Sequence, residues 1–554
     1  MTHPTALTDR EATLLAYGRD IRRAASLLKS GLSVLIHCDK AVGPHLWESM
    51  VHQANRRAVL VAGPGDPQVR AMNPRPPMPG LRLGAADDLA EDTENARVAL
   101  RTFRQRYLDE IREKLALLKD DEVLVMLHLD LLASSVESTL APEVRELVEL
   151  LYGPGGMEAT LRQAPNVERV LLGFVEPTLV IPQVLAKRFV VPLTLSGIGP
   201  TVSPEVGVEQ PSAAALVLAQ EAKLFAGYKA DEMYKHLAGL HPVRLRQAMR
   251  YAYDQHQADP PSEVAKLRQT LREFKADTSG SFELPNVRFD DIGGYDDVKR
   301  EMADAIRILM DPHAPRQVRR SLPRGYIFCG PPGTGKTMFA KAIANEMDAT
   351  INVVSGPEVT SMYFGESERR VRELFAEARR NAPSVIVFDE IDAIAGRRSS
   401  HADGGARANN AIVAQILTEM DGFREELTML VIGTTNQVNL IDRALLRPSR
   451  FQQVEIGLPD PDARRKIIEV CAAANEITVP PKLMPALVQA MTDWNGDEIR
   501  VVFARVTAAA YRRKAKMKAG LPVGPEAPIE TLLGKIVGQM QRSRLQDQAS
   551  RREG

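Results

Sequence analysis

Cysteine is scarce in this chain. Cys38, Cys329 and Cys471 are the three present among 554 residues, far apart and odd in number. That excludes a disulfide framework and fits a reducing compartment. A surplus of one charge is also missing, because Lys+Arg and Asp+Glu both count 71. Non-specific nucleic-acid binders carry a basic excess, so no nucleic-acid partner is expected. No apolar run approaches the ~18 residues that cross a bilayer. The start, MTHPTALTDREATLL, carries acidic residues and no hydrophobic signal region. The expectation is a cytoplasmic protein with no membrane anchor. A His-Glu-x-x-His zinc-protease pattern is absent, and His37, His45 and His52 lack a convergent ligand set.

What is present is ordinary globular material, 44% hydrophobic and 26% charged, in a chain too long for a single core. The stretch from Asp259 to Glu283 opens with DPPSE, runs through VAKLRQTLREFKA and ends in DTSGS, which predicts a linker holding a short charged helix. A second break, GLPVGPEAP, precedes an amphipathic helix and the polar tail QDQASRREG. The resulting division is an α/β domain over 1–205, its helical lid over 206–258, and a linker over 259–284. A large α/β subdomain over 285–460, a helical lid over 461–519 and a C-terminal helix with polar tail over 520–554 complete it.

In the second half, short β-rich runs alternate with helical patterns: GYIFC, INVVS, SVIVFD and MLVIGTT. Alternation of this kind predicts a parallel sheet covered on both faces. Val371, Leu374, Phe375 and Ala378 fall at i, i+3, i+4 and i+7, the stripe of an amphipathic helix. After Leu458 the pattern turns wholly helical.

GPPGTGKT, Gly330 to Thr337, follows a predicted strand and opens the predicted helix MFAKAIANEM. That is the context a phosphate-binding loop requires. Gly330, Pro331, Pro332, Gly333, Thr334 and Gly335 supply a backbone whose amides can turn around phosphates, at a helix start whose dipole favours anions. Lys336 is expected to reach the β- and γ-phosphates of ATP, Thr337 to ligate Mg²⁺, and Met338 to line the nucleotide. VIVFDEID ends an apolar strand in Asp389, expected to hold Mg²⁺ with Thr337, and Glu390, expected to orient or deprotonate the attacking water. The bland alternatives are a chance match on a surface loop and a solvated strand end.

These motifs make the stretch from Phe289 to Arg513 resemble an ATPase of the AAA family proper, the group holding proteasomal ATPases, segregase-type unfoldases and membrane-anchored AAA proteases. FDDIGG resembles the family's adenine-side entry, with Ile292 and Gly293 near the base. GTTNQVNLIDRALLRPSRF resembles its second region of homology. The resemblance implies a parallel P-loop AAA sheet with a small helical lid, whose Gly496 faces the nucleotide. It further implies a homo-oligomeric, hexameric ring, a sensor role for Asn436, and fingers at Arg447 and Arg450 reaching a neighbouring subunit. Surface arginines capping a helix end are the alternative. Tyr363-Phe364-Gly365 fits the channel loop with which AAA unfoldases grip a protein substrate; packing of both rings in the core is the alternative. The polar loop over 396–408 is a candidate second channel loop or a solvated turn, and Asp421-Gly422-Phe423 resembles an inter-subunit signalling motif. Ser449 and Gln452 depart from the family pattern, as does Asn495-Gly496-Asp497-Glu498, where Asp497 adds a carboxylate near the nucleotide. The ending Arg551-Arg552-Glu553-Gly554 lacks the motif by which proteasomal ATPases dock.

The first half reads as a degenerate copy, making the fold α/β and duplicated. VLIHCDKAVGPHL lies over YIFCGPPGTGKTM, VLVAGP beside INVVSGP, VLVMLHLDLL beside VIVFDEI, and VLLGFVEP beside VIGTTNQV. On this alignment Pro44 stands for Lys336, Asp130 for Asp389, Leu131 for Glu390 and Arg188 for Arg450. An unrelated α/β domain is the alternative. The functional expectation is an ATP-hydrolysing ring that unfolds, threads or remodels protein. Two readings stand beside it: an assembly or disassembly factor switching one specific complex, and a DNA-acting AAA+ protein.

Overall fold

In the computed structural model, the described residues are 8–61, 104–130, 142–152, 169–195 without 178 and 180, 197, 225–256 without 226 and 229, 263–311, 314–359, 366–395, 404–422, 427–450 without 443, 448 and 449, 451–518 and 528–553. Tyr363, Phe364, Gly365, Leu131, Phe423 and residues 396–403 lie outside them. The chain divides into two compact units, residues 1–267 with 372–380, and residues 268–371 with 381–554.

The first unit is built on strands β1 (Val34–His37), β2 (Arg57–Val61), β3 (Glu122–Met126), β4 (Val170–Val175) and β5 (Val191–Thr194). They form one parallel sheet in the order β2-β3-β4-β1-β5. Alternate residues serve opposite faces, the period that a pleated strand dictates. Val34, Ile36, Val123, Val125 and Leu172 pack with the helices Gly18–Lys29 and Gly43–Gln53. Leu35, Leu124, Met126 and Leu171 pack on the other side with Tyr107, Ile111, Leu147 and Leu185. Both faces are therefore covered, as an all-parallel sheet requires.

The second unit repeats the plan with β6 (Gly325–Cys329), β7 (Thr350–Ser355), β8 (Ser384–Asp389), β9 (Met429–Thr435) and β10 (Phe451–Glu455), ordered β10-β6-β9-β8-β7. Taken by position in the chain, the two sheets have the same strand order. The fold is thus α/β with two parallel five-stranded sheets, consistent with duplicated P-loop AAA domains followed by C-terminal helices. The helix Glu366–Arg380 buries Val371, Phe375 and Ala378 of the predicted stripe.

Past the sheet, the helices Pro461–Ala474, Met484–Ala490 and Gly496–Lys518 gather in the segment where the sequence predicts the lid, and are called the lid below. Asp460 caps the first of them through the amide of Ala463 at 2.7 Å, with Pro461 at its opening position. The lid core gathers Ile468, Met491, Trp494, Val502 and Phe503 with Leu533, Ile536 and Val537 of the helix Ile529–Glu553.

Two expectations about organisation change. The stretch read as a linker is packed: Leu271 is buried, Arg268 and Arg272 each lie 3.3 Å from Asp348, and Glu283 exchanges backbone hydrogen bonds with Ile351 on the edge strand β7. Exposed strand edges invite mispairing, so a bridging residue there protects the sheet. The polar tail is helical through Glu553. QDQASRRE holds neither Gly nor Pro, so a helix nucleated by lid packing propagates through it.

Candidate nucleotide site

The site forms at the C-terminal edge of the second sheet, where β6, β8 and β9 deliver their end residues side by side. Gly330, Gly333 and Gly335 carry φ of +151°, +74° and +92°, a backbone that residues with a Cβ rarely adopt. A Cβ on Gly330 would fall 2.1 Å from the Ile456 carbonyl, whereas Gly335 faces open space. Among the described residues, the amides of Gly333, Thr334 and Gly335 meet no hydrogen-bond acceptor, so they are available to an anion. The Pro332 carbonyl accepts from Asn495 Nδ2 at 3.1 Å. Thr334 closes the loop by donating to the Pro331 carbonyl at 3.0 Å.

Lys336 opens the helix Lys336–Glu346 and is buried. Its Nζ donates to the carbonyls of Gly330 (3.0 Å) and Pro331 (2.7 Å). Burial pushes its pKa below the ordinary lysine value, and the Asp389 carboxylate opposes that shift. The Thr337 hydroxyl donates to Asp389 Oδ1 at 3.1 Å, and the Thr434 hydroxyl donates to the same oxygen. Thr434 also accepts from the Glu390 amide at 3.2 Å. Glu390 itself is exposed, with φ +53°. A left-handed backbone at a residue with a Cβ is a strained geometry of the kind found at functional sites. Asn436 follows β9 and is exposed. Met338 is 40% exposed at the helix start.

The Asp389 carboxylate and the Thr337 and Thr434 hydroxyls that meet one of its oxygens form an all-oxygen donor set beside an anion-receptive loop, the chemistry Mg²⁺ prefers. Gly293 and Gly294 press against the first lid helix, where added Cβ atoms would fall 2.4 Å from the Ile467 nitrogen and 2.2 Å from the Ala463 Cβ. Ile292, beside them, is buried. Gly496 approaches the loop from the lid: a Cβ on it would lie 3.5 Å from the Gly333 carbonyl. The Asp497 amide donates to that carbonyl at 3.2 Å, while the Asp497 carboxylate pairs with Arg500 at 2.9 Å. The additional acid is thereby turned onto its own helix.

The arginines lie elsewhere. Arg447 is exposed, and Arg450 pairs with Asp421 at 2.9 Å while donating to the Ala444 carbonyl at 3.2 Å. Arg450 immediately precedes β10, whereas Glu390 immediately follows β8. Two strands intervene between β10 and β8, and all run parallel. The two residues therefore sit at opposite edges of the sheet, about 14 Å apart across the strands and about 16 Å along them. The sequence reasoning missed Thr434 and Asn495; the hydroxyl run GTTN before the sensor position was the available signal for the first.

An anion-receptive glycine loop, a lysine at its helix start and a hydroxyl-bound aspartate at the adjacent strand end define a P-loop nucleotide site on a five-stranded AAA-type sheet. Residues 326–458 match the model of the "ATPase family associated with various cellular activities (AAA)", and this stretch is an AAA ATPase domain. AAA domains bind ATP with Mg²⁺. The chain is 42% identical over 243 residues to the ATP-dependent zinc metalloprotease FtsH 2 of Sphaerobacter thermophilus, covering 42% of this chain and 37% of that protein. It is 41% identical over 215 residues to the cell division cycle protein 48 homolog of Archaeoglobus fulgidus, covering 38% of this chain and 29% of that protein. The likeness thus spans well under half the length of either relative. Among the described residues, no helix is long and apolar enough to cross a membrane.

The first sheet's counterpart differs in its register. Leu35 pairs with Gly173, and Gly173 with Met126. Ile327 pairs with Gly433, and Gly433 with Phe388. Leu127 therefore stands where Asp389 does and His128 where Glu390 does, three residues before the sequence alignment had them. Asp130 lies beyond the strand, buried, with Oδ2 2.8 Å from Lys40 Nζ. Arg188, aligned with Arg450, donates inward to the carbonyls of Leu151 (3.0 Å) and Arg169 (2.9 Å).

Proposed function

We propose that this chain is a ring-forming ATPase that hydrolyses ATP to ADP and phosphate and uses the energy to unfold, thread or remodel protein substrates. The observation that carries the reading is the meeting of the Thr337 and Thr434 hydroxyls on Asp389, beside a phosphate loop with available amides. In this proposal the amides and Lys336 bind the phosphates. Ile292, Gly293, Met338 and Gly496 border the nucleoside, and Thr337 and Asp389 hold the Mg²⁺. When bound with ATP, that ion neutralises phosphate charge. Glu390 takes the proton of the attacking water, and Asn436 positions that water.

Arg447 and Arg450 serve a neighbouring subunit's site, because about 14 Å of sheet separates Arg450 from its own Glu390 even across the strands alone. This favours a homo-oligomeric ring, hexameric by the family resemblance. Tyr363-Phe364-Gly365 would contact the protein substrate; one named relative is an ATP-dependent metalloprotease, an enzyme that acts on protein. ATP turnover and ATP binding should be measured for the intact chain and for Lys336→Ala, with and without an unfolded protein. Turnover that a generic unfolded protein stimulates supports remodelling. Nucleotide binding unchanged in Lys336→Ala sinks the site assignment, and turnover indifferent to any unfolded protein favours the complex-specific switch.

A further inference from the structure

The C-terminal helix Ile529–Glu553 reaches the phosphate loop through three side chains. Arg544 Nη2 donates to the Asp493 carbonyl at 2.5 Å, and its Nη1 lies 3.4 Å from Glu498 Oε2. That same Glu498 oxygen accepts from the Asn495 amide at 2.8 Å, while Asn495 Oδ1 accepts from the Glu498 amide at 2.8 Å. This is a reciprocal capping box at the start of the lid helix. With Oδ1 committed to the box, the remaining amide group of Asn495 is aimed one way, and Nδ2 donates to the Pro332 carbonyl at 3.1 Å. Two residues beyond Asn495, the Asp497 amide holds the next loop carbonyl, that of Gly333, at 3.2 Å.

A trans peptide is planar, with its C=O and N–H pointing in opposite directions. Holding the Pro332 carbonyl outward therefore turns the Gly333 amide inward, and holding the Gly333 carbonyl outward turns the Thr334 amide inward. Those are the amides available to phosphate. The approach requires glycine at 333, since a Cβ there would fall 2.8 Å from the Asn495 side chain.

We infer that Arg544 is a positioning residue for the nucleotide: through Glu498 and Asn495 it orients the two phosphate-loop peptides at 332–334, so that this one side chain of the C-terminal helix tunes nucleotide affinity. The inference rests on the nucleotide-site reading above. The helix is thereby more than a lid support, because Leu533, Ile536 and Val537 supply its packing without Arg544.

The test uses the full chain and four variants: Arg544→Met, Arg544→Lys, Glu498→Gln, which keeps the cap acceptor and removes the charge, and Gln541→Ala. Gln541 lies on the same helix and donates to the Ala490 carbonyl at 2.6 Å, apart from the capping box. ATP KM, kcat, the Kd of a fluorescent ADP, and melting temperature are read together. Arg544→Met and Glu498→Gln should raise KM and Kd about 3- to 10-fold, the worth of one misaligned hydrogen bond, with kcat within about two-fold. Arg544→Lys should recover part of the affinity, and Gln541→Ala should keep wild-type KM. Wild-type KM in both Arg544→Met and Glu498→Gln overturns the inference. A KM rise in Gln541→Ala equal to that of Arg544→Met also overturns it, since helix docking alone would then suffice. Should Arg544→Met fail to fold, Glu498→Gln decides. A wild-type chain that binds no nucleotide, or Lys336→Ala that binds normally, defeats the site reading instead.

Discussion

The two sheets of this molecule share strand order and parallel register yet differ in what their loops do with backbone and charge. In the second, the amides of Gly333, Thr334 and Gly335 meet no acceptor among the described residues, and Asp389 faces two hydroxyls. In the first, the protein's own groups take those roles. The Ala41 amide donates to the Asp39 carboxylate (2.9 Å), the Val42 amide to the Asp39 carbonyl (2.9 Å) and the Lys40 amide to the Glu176 carboxylate (3.3 Å). A Cβ at Gly43 would lie 3.3 Å from Phe174, so an aromatic ring fills the space beside the helix start. The buried Asp130 is met by the Lys40 ammonium. Sheet topology depends on many alternating apolar residues and tolerates such change; phosphate chemistry depends on a few loop residues and does not.

That comparison can be broken most sharply at the arginines. Arg450→Ala should lose about 10³-fold or more in ATP turnover, the worth of an arginine finger. Co-assembled with Glu390→Gln subunits it should recover part of that turnover, because an intact Glu390 site can then borrow a neighbour's Arg450. Turnover in mixed rings no higher than in either parent would place the arginines within their own subunit. Arg188→Ala, its counterpart, should leave turnover within about two-fold and lower the melting temperature.

Glu390→Gln should bind ATP and turn it over about 10²–10⁴ times more slowly. His128→Gln, at the matching register position of the first sheet, should be close to wild type. A His128 variant as impaired as Glu390→Gln would mean that the first sheet also does chemistry.

Smaller in effect is the first unit's internal ion pair. Removing one partner of a fully buried pair costs about 3–5 kcal/mol. Lys40 is 44% exposed, so Lys40→Met should cost about 2 kcal/mol, read by denaturant unfolding, with ATP turnover unchanged. No measurable loss would show that Asp130 is stabilised by other groups.

Smallest on the ATPase itself is Tyr363→Ala, which lies outside the phosphate loop, the acidic strand and the sensor region. Basal turnover should stay within about two-fold while unfolding of a folded protein is abolished. Full unfolding activity in a stable Tyr363→Ala protein would favour the switch-like reading over threading.

The second sheet was legible from sequence because its signals are local. GYIFC, INVVS, SVIVFD and MLVIGTT appear as strands at those places, and a loop such as GPPGTGKT needs only its neighbours to be recognised. The repeat of the α/β plan was legible too, since strand spacing can be read along the chain. Its detail was not. Asp130 matched Asp389 in one-dimensional spacing, but only hydrogen-bonded register places Leu127 at that strand end. The segment between the halves carried linker signals, DPPSE and DTSGS, yet Arg268, Arg272 and Glu283 find partners more than 65 residues away.

By itself, then, the sequence determined the class of each element, the repeat of the α/β plan and the identity of the phosphate loop. Each rests on residues within a few positions of one another, where propensity and periodicity act. Tertiary structure alone decided that Thr434 joins Thr337 on Asp389, that Arg450 and Glu390 stand at opposite edges of one sheet, and that Arg544 lies two side chains from the loop. Those facts depend on strand order and helix docking, which bring together residues separated by tens to hundreds of positions and leave no periodic trace in the chain.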